Sequence, residues 1–282
     1  MPKGLTVVLN QPGKPLELET LPTPDIDPGG VLIKNTAAAI CGSDLHYWRN
    51  DGNYSGPDLR RVPGHEFTGV VHSLGKGVDT DSLRRPLKEG DRVAFPFFNP
   101  CNRCYWCVRG EHHACPHRHR RSMQFNLDTY NYCDGGYAEY YYLLPGHYVF
   151  KVPDILPDEA IPPVNCALCQ VLHGIEYAEM KFGDVVVIQG AGGLGIYAAA
   201  IAAEKGASKV ISQQIKWTGL MHYNPWIMPS ALELLVRTRD KYPLSKVVSH
   251  SFPLADVNKA FAFAEWQGKN TGTAATRVIL KP

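Results

Sequence analysis

A cysteine-rich segment constrains this chain more than any other feature of its sequence. Four of the eight cysteines lie in the segment CNRCYWCVRGEHHAC. Two-residue spacers separate the first three of these cysteines, and a longer loop precedes the fourth, so all four thiolates can converge on one ion. They are Cys101, Cys104, Cys107 and Cys115. Four sulfur ligands suit a closed, tetrahedral zinc site, and the segment therefore predicts a structural zinc lobe at about residues 101–115.

Two other interpretations of this segment stay open at the level of sequence. The four cysteines could be incidental thiols, or they could hold an iron–sulfur cluster, although the last gap is longer than in ferredoxin-type runs. The neighbouring histidines predict a solvated basic loop, with extra metal binding as the alternative. They are His112, His113, His117 and His119.

Length and composition narrow the class of protein. The chain has 282 residues, of which 44% are hydrophobic, which is enough for two domains with ordinary cores. The net charge is +2 with both signs interspersed, so neither nucleic acid nor a membrane surface is expected as a partner. The first residues lack the features of a secretory signal, so we expect a cytoplasmic protein, where cysteines are more often metal ligands than disulfides.

A second, open metal site is suggested by three separate segments. Cys41 lies in AAAICGSDLHYW, His65 in RVPGHEFTGVV and Cys166 in PPVNCALCQVLHG. Two thiolates and one imidazole are the ligands of a catalytic zinc whose fourth position stays open for water or substrate. Asp44 and Glu66 are candidate partners that orient a ligand. The sequence leaves open whether the three residues meet, since packing of buried cysteine and histidine is the alternative.

A glycine-rich turn predicts a dinucleotide site. In GDVVVIQGAGGLGIYAAAIAAEKGASKVI, residues 185–188 form an apolar run that predicts a parallel strand buried on both faces. The turn that follows has Gly-x-Gly-x-x-Gly spacing and precedes an alanine-rich helix that ends at Gly206. Backbone amides at the start of that helix would bind a pyrophosphate, and a turn without a ligand is the alternative. The candidate residues are Gly190, Gly192, Gly193, Leu194 and Gly195.

The segment after this helix departs from an ordinary nucleotide-binding fold. Residues 209–211 predict the next strand, but Ser212, Gln213 and Gln214 follow where an acidic residue would hold the cofactor ribose. The sequence therefore leaves open whether the cofactor is NAD or NADP. Residues 215–222 predict another strand, yet they follow too closely for a parallel neighbour, which needs a crossover of about a dozen residues.

The order of these motifs resembles the zinc-containing alcohol dehydrogenases of the medium-chain dehydrogenase/reductase superfamily. The motifs are CGSDLH, PGHEF-x-G-x-V, EGDRV, the four-cysteine lobe and GAGGLG. The resemblance implies a mixed fold with a GroES-like β-barrel catalytic domain at residues 1–165 and a Rossmann-type coenzyme domain at 166–246. Residues 247–282 would return to the catalytic domain. Relative to the family plan, about 80 residues of the coenzyme domain would be absent.

The same resemblance implies roles for individual residues. Cys41, His65 and Cys166 would bind the catalytic zinc, with Glu66 as an occasional ligand. The preference for Cys166 over Cys169 also comes from the family pattern. Asp44 would hydrogen-bond to His65. Ser43 and His46 would carry the proton between substrate and solvent.

The implied function is hydride transfer between an alcohol or carbonyl substrate and NAD or NADP, with one catalytic and one structural zinc per chain. Family members are commonly dimers or tetramers, so a homo-oligomer is expected. The alternative is a zinc-stabilised dehydrogenase remnant that binds cofactor poorly or not at all. A third interpretation, iron–sulfur electron transfer, would give a coloured protein.

Overall fold

A computed structural model describes residues 2–51, 60–118, 127, 135–190, 192–208, 222–265 and 276–282. Its strands are β1 (Lys3–Val8), β2 (Glu17–Pro22), β3 (Val31–Ala39), β4 (Glu66–Leu74), β5 (Arg92–Ala94), β6 (Tyr140–Leu143), β7 (Phe150–Lys151), β8 (His250–Pro253) and β9 (Val278–Lys281). Its α-helices are α1 (Gly42–Arg49), α2 (Tyr105–Val108), α3 (Ala167–Tyr177), α4 (Gly193–Glu204), α5 (Ile227–Thr238) and α6 (Val257–Glu265).

Strand β3 organises the larger sheet. Its sequence VLIKNTAAA is apolar at most positions and almost wholly buried, as expected of a strand enclosed on both sides. It pairs with β4, β6 and β9, and the remaining order along the sheet is β7-β5-β4-β3-β9-β8. The β1–β2 hairpin is joined to this framework by bridges from Thr6 to Ala138 and from Leu9 to Arg61. This arrangement confirms the predicted β-barrel.

The end of the chain completes that sheet. Strand β9 pairs antiparallel with β3, with Ile279 opposite Ala39, and β8 lies parallel to β9 on its outer side. The apolar face of α6 packs in the same core through Val257 and Phe261. Residues near the C-terminus therefore lie beside the end of β3 from which α1 begins. The division at residues 165 and 246 stays a prediction.

A second apolar core lies between the barrel and helices α3, α4 and α5. Helix α5 buries residues at helical spacing, among them Ile227, Ala231 and Leu235, while its other face stays polar. Helix α4 packs against α3 through Tyr197 and Ile201. Helices α3, α4 and α5 and the glycine turn before α4 lie within residues 166–246, the range predicted for the α/β coenzyme domain. The predicted mixed fold is thereby confirmed.

The prediction of a buried strand at residues 185–188 is wrong. No regular strand forms there in the described chain, and Val185 is 55% exposed. A strand buried on both faces needs strands beside it, and none of the described strands pairs with this run. Phe182 is 90% exposed in the same region. Apolar side chains are therefore exposed in this region.

Several sequence predictions lie outside the described residues. They concern the strand at 209–211, most of the strand at 215–222, the residues Ser212, Gln213 and Gln214, and also His119. In the ranges that the structure does describe, no helix combines the length and apolar content needed to cross a membrane.

Candidate metal and dinucleotide sites

The four-cysteine lobe has the dimensions of a tetrahedral metal site. The sulfur atoms of Cys101, Cys104, Cys107 and Cys115 all lie within 4.8 Å of one another. Cys104 is 3.6 Å from Cys107 and 3.8 Å from Cys115. A tetrahedron with zinc–sulfur bonds of about 2.3 Å has edges of about 3.8 Å. The residues therefore fit a zinc ion with four sulfur ligands, while their role as ligands stays a prediction.

The local backbone brings these sulfur atoms together. Cys104 is the N-cap of the short helix α2, and Cys107 lies within that helix, one turn away. The backbone N–H of Arg103 lowers the pKa of Cys101 to about 6, whereas burial raises the pKa of Cys107 to about 12. Metal binding requires thiolates, so loading of this lobe should release protons.

Two histidines of the lobe do not form the solvated loop that the sequence predicted. The backbone N–H of His113 and its Nδ1 both face Oδ1 of Asn224, at 3.1 and 2.9 Å. The ring of His112 packs against Trp226, with centroids 5.5 Å apart, and burial lowers the pKa of His112. His117 is exposed, as expected. The lobe is thus docked onto the segment that leads into α5, a long-range contact that no local pattern indicates.

A second cluster is assembled from three distant segments. Ligand atoms of Cys41, His65, Glu66 and Cys166 lie within 4.8 Å of one another. Cys41 is the N-cap of α1, and Cys166 occupies the same position at α3. His65 and Glu66 lie where β4 begins. Two sulfurs, one imidazole and one carboxylate form a donor set that zinc accepts. The four side chains are therefore close enough to bind one zinc ion, which the sequence could only suggest.

Asp44 fixes the orientation of His65. Oδ1 of Asp44 is 3.1 Å from Nδ1 of His65, and both side chains are buried. The other carboxylate oxygen accepts hydrogen bonds from the backbone N–H of Cys41 and from the hydroxyl of Tyr137. Burial disfavours the imidazolium form of His65, but Asp44 and Cys41 raise its pKa. Because Nδ1 is occupied by Asp44, Nε2 is the atom that could bind a metal.

The two thiols of this cluster influence each other's protonation. A hydrogen bond with Cys166 lowers the pKa of Cys41, and the same bond raises the pKa of Cys166. Cys169, one turn further along α3, is buried in the apolar core and belongs to neither cluster. A divalent cation could neutralise the thiolates of both Cys41 and Cys166, so the donor atoms of this cluster suit a metal ion.

Arg277 is a site residue that the sequence reasoning missed. Its Nη1 donates a hydrogen bond to Oε2 of Glu66, and both side chains are almost completely buried. Burial raises the pKa of Glu66 to about 8, and the nearby guanidinium acts against this shift. Oε1 of Glu66 is buried and has no hydrogen-bond partner among the described residues. This oxygen is therefore suited to an incoming cation. An arginine directly before the apolar strand VILK was the only available signal.

Ser43 and His46 lie along helix α1, one turn apart. Oγ of Ser43 is 3.5 Å from Nε2 of His65, next to the candidate metal position. The side chain of His46 is 45% exposed and contacts the carboxylate of Asp51. The two residues therefore lead from the buried cluster toward the protein surface, which is the direction that a proton relay needs.

The glycine turn has the shape of a phosphate cradle. Gly190 has φ +104°, and a methyl group at Gly195 would lie 2.1 Å from the carbonyl oxygen of Gly190. Gly192 is the N-cap of α4, and a methyl group there or at Gly190 would meet nothing within 4 Å. The turn thus needs glycine for its own geometry, and open space lies before the helix. A dinucleotide pyrophosphate fits these residues.

The dinucleotide cradle and the second metal cluster are close together. A methyl group at Gly193 would lie 3.7 Å from the guanidinium of Arg277, which is itself bonded to Glu66. Leu194, the next residue, is 48% exposed. The buried guanidinium of Arg277 therefore links the two candidate sites.

Several known proteins have sequences similar to that of this chain. The family described as "Alcohol dehydrogenase GroES-like domain" matches residues 27–154. An alcohol dehydrogenase from Geobacillus stearothermophilus is 35% identical over 189 residues, covering 67% of this chain and 51% of that protein. An L-threonine 3-dehydrogenase from Pyrococcus horikoshii is 34% identical over 213 residues, covering 74% and 56%. The chain thus spans about half the length of the curated relatives it matches.

Solved structures share the fold. An alcohol dehydrogenase from Thermotoga maritima aligns with a TM-score of 0.87 at 21% identity, covering 100% of both chains. The acetophenone reductase of Geotrichum candidum, in complex with NAD, aligns with a TM-score of 0.79 at 20% identity, covering 100% of this chain and 98% of that one. Two further structures of this fold hold NADH or NADP.

Proposed function

Because the chain belongs to the medium-chain dehydrogenase/reductase superfamily, among its zinc-dependent alcohol dehydrogenases, we propose that it transfers hydride between an alcohol or carbonyl compound and NAD or NADP. The observation that carries this proposal is the convergence of Cys41, His65 and Cys166 from three distant segments. Ligand atoms from separate elements lie within 4.8 Å of one another there, beside a buried carboxylate oxygen without a hydrogen-bond partner among the described residues, which is the arrangement that a metal site requires.

The proposal assigns one task to each group of residues. Cys41, His65 and Cys166 hold a zinc ion, with Glu66 as an occasional fourth protein ligand. When bound, zinc supplies Lewis-acid chemistry at the substrate oxygen, and the nicotinamide ring supplies or accepts the hydride. Asp44 keeps the imidazole of His65 oriented.

Proton transfer is assigned to two residues of α1. Ser43 lies beside the candidate metal position and would receive the proton of the substrate hydroxyl. His46 would take this proton onward to solvent, because an imidazole can accept a proton at one nitrogen and release one from the other.

The remaining candidate residues would bind the cofactor or stabilise the fold. The amides of the turn at residues 190–195 would bind the cofactor pyrophosphate at the start of α4. A second zinc at residues 101–115 would stabilise the lobe without touching substrate, because four sulfurs leave no open position. We retain residues 1–165 as the catalytic domain, 166–246 as the coenzyme domain and 247–282 as the return segment.

The proposal is tested with the zinc-loaded chain and two cysteine variants. NADH and NADPH are titrated by fluorescence, and turnover is measured with a series of small alcohols and carbonyl compounds. We expect cofactor binding and zinc-dependent turnover that Cys166→Ser abolishes and Cys169→Ala preserves. If neither cofactor binds and no substrate is turned over, the protein is the zinc-stabilised remnant instead.

Assembly and location are further parts of the proposal. The exposed Phe182 and Val185 favour self-association, since apolar surface of this kind is commonly covered. We therefore expect a homodimer or homotetramer. We also expect the protein in the cytoplasm. Light scattering that gives a stable monomer at all concentrations would contradict the predicted oligomer.

A further inference from the structure

The end of helix α1 brings an acidic residue back onto His46. Helix α1 stops at Arg49 because Asn50 adopts a left-handed conformation with φ 57°, which asparagine tolerates. The backbone N–H of Asp51 then bonds to the carbonyl of His46 at 3.2 Å. This reversal places Asp51 over the last helical turn, with its carboxylate facing the imidazole.

A chain of charged groups holds that carboxylate in place. Oδ1 of Asp51 contacts Nδ1 of His46, and Oδ2 accepts a hydrogen bond from Nε of Arg49 at 2.7 Å. Nη1 of Arg49 reaches Oε1 of Glu265 at the end of α6, at 3.3 Å. The hydrogen bond with His46 lowers the pKa of Asp51, and Arg49 acts in the same direction. The carboxylate is therefore ionised near neutral pH.

An ionised carboxylate decides which nitrogen of His46 carries hydrogen. Such a group only accepts hydrogen bonds, so Nδ1 must donate. Nη2 of Arg49 also lies 3.2 Å from Nδ1 and could donate a hydrogen bond only if Nδ1 carried a lone pair. That lone pair would then also face the closer carboxylate oxygen of Asp51, which is repulsive. In the neutral imidazole the lone pair therefore belongs to Nε2, which becomes the basic nitrogen.

We propose that Asp51 is a positioning residue that fixes His46 in the Nδ1–H tautomer and in its orientation, with Arg49 and Glu265 anchoring Asp51. Its catalytic consequence rests on the proposed function, in which His46 passes the substrate proton to solvent. The tautomer itself does not depend on that function and can be measured in a protein that turns nothing over.

Nitrogen NMR tests the tautomer directly. The zinc-loaded full chain is labelled with ¹⁵N-histidine, and the His46 signals are identified by their loss in His46→Gln. We expect a protonated Nδ1 and an unprotonated Nε2 in the native chain near pH 8. In Asp51→Asn the signals should shift toward the Nε2–H form. Asp240→Asn removes another exposed, ion-paired aspartate and should leave the spectrum unchanged. A native chain with hydrogen on Nε2, or an unchanged Asp51→Asn spectrum, would overturn the proposal.

Kinetics test the positioning role. We expect Asp51→Asn to lower kcat about tenfold, a part of the roughly 10²–10⁴-fold that general acid–base catalysis contributes. KM for the alcohol should stay unchanged, Asp51→Glu should recover part of the rate, and Asp240→Asn should behave as the native enzyme. A tautomer shift with unchanged kcat would refute the positioning role. A tautomer shift in a chain whose native form has no turnover would refute the proposed function alone.

Discussion

The two cysteine clusters of this molecule use similar ligands but are built in opposite ways. The four-cysteine lobe draws every ligand from one stretch of chain around α2, so its geometry depends mainly on local turns. The second cluster draws Cys41, His65 and Cys166 from α1, the start of β4 and α3, so it exists only when the barrel is folded. Under the proposed function, the local ligands would serve stability and the assembled ligands would serve chemistry.

A carboxylate sharpens the contrast. Two cysteines remain partly accessible in each cluster, but no described carboxylate joins the four sulfurs of the lobe. The second cluster includes a buried carboxylate, Glu66, whose charge is compensated by Arg277. A closed set of sulfurs holds a metal tightly, whereas a mixed set with an unpartnered carboxylate oxygen can change its coordination.

The largest effect on stability is expected from the lobe. Cys107→Ser should release one zinc and lower the free energy of unfolding by on the order of 5 kcal/mol, a fraction of the roughly 10–16 kcal/mol that structural zinc contributes in zinc-finger peptides. Metal analysis and urea denaturation measure both quantities. Cys166→Ser is the matched variant and should also release one zinc, but with a much smaller loss of stability. Equal stability losses would break the distinction between the clusters.

A smaller loss is expected when the buried ion pair of the assembled cluster is broken. Arg277→Met leaves Glu66 buried without its cation and should destabilise the fold by about 3–5 kcal/mol. The double variant Glu66→Gln, Arg277→Met removes the uncompensated charge and should recover part of that loss. Thermal and denaturant unfolding of the two proteins give the comparison. A double variant as unstable as Arg277→Met would show that lost packing, rather than the uncompensated charge of Glu66, causes the loss of stability.

The orientation of His65 should matter for metal affinity more than for the fold. Asp44→Asn replaces the carboxylate that bonds Nδ1 and should weaken zinc binding at the assembled site by about 10–100-fold, or about 1.4–2.8 kcal/mol. Competition with a chromophoric chelator resolves the two zinc ions. Affinity at the four-cysteine lobe should stay unchanged, and a loss at both sites would mean that the clusters are not independent.

The smallest effect is expected from the cysteine that joins neither cluster. Cys169→Ala removes a buried thiol from the apolar core and should cost about 1 kcal/mol of stability. Both zinc ions should remain, and turnover should match the native enzyme. Loss of either zinc from this variant would reassign the ligand on α3.

The same contrast explains what the sequence could predict. Spacing alone predicted that four sulfur atoms could converge, and they lie within 4.8 Å of one another, because their arrangement is local. The convergence of Cys41 with Cys166 required a family resemblance, since nothing in either segment specifies its distance from the other. Arg277 was missed because its partner, Glu66, lies on a strand far away in sequence. Long-range pairing of this kind is set by sheet register, which local patterns do not encode.

The prediction for residues 185–188 failed for a related reason. Its apolar run has the composition of a buried parallel strand, and composition was the only basis for placing it in a sheet. Burial is a property of the neighbours, and no described strand pairs with this run. The docking of His113 onto Asn224 was missed likewise, because it joins the lobe to a segment near α5.

Anomalous X-ray diffraction at the zinc absorption edge, from crystals of the metal-loaded chain, tests the central claim most directly. Two peaks per chain are predicted, one among the four sulfurs of the lobe and one between Cys41, His65 and Cys166. A single peak in the lobe, with no density between those three side chains, would contradict the catalytic metal site and with it the proposed chemistry.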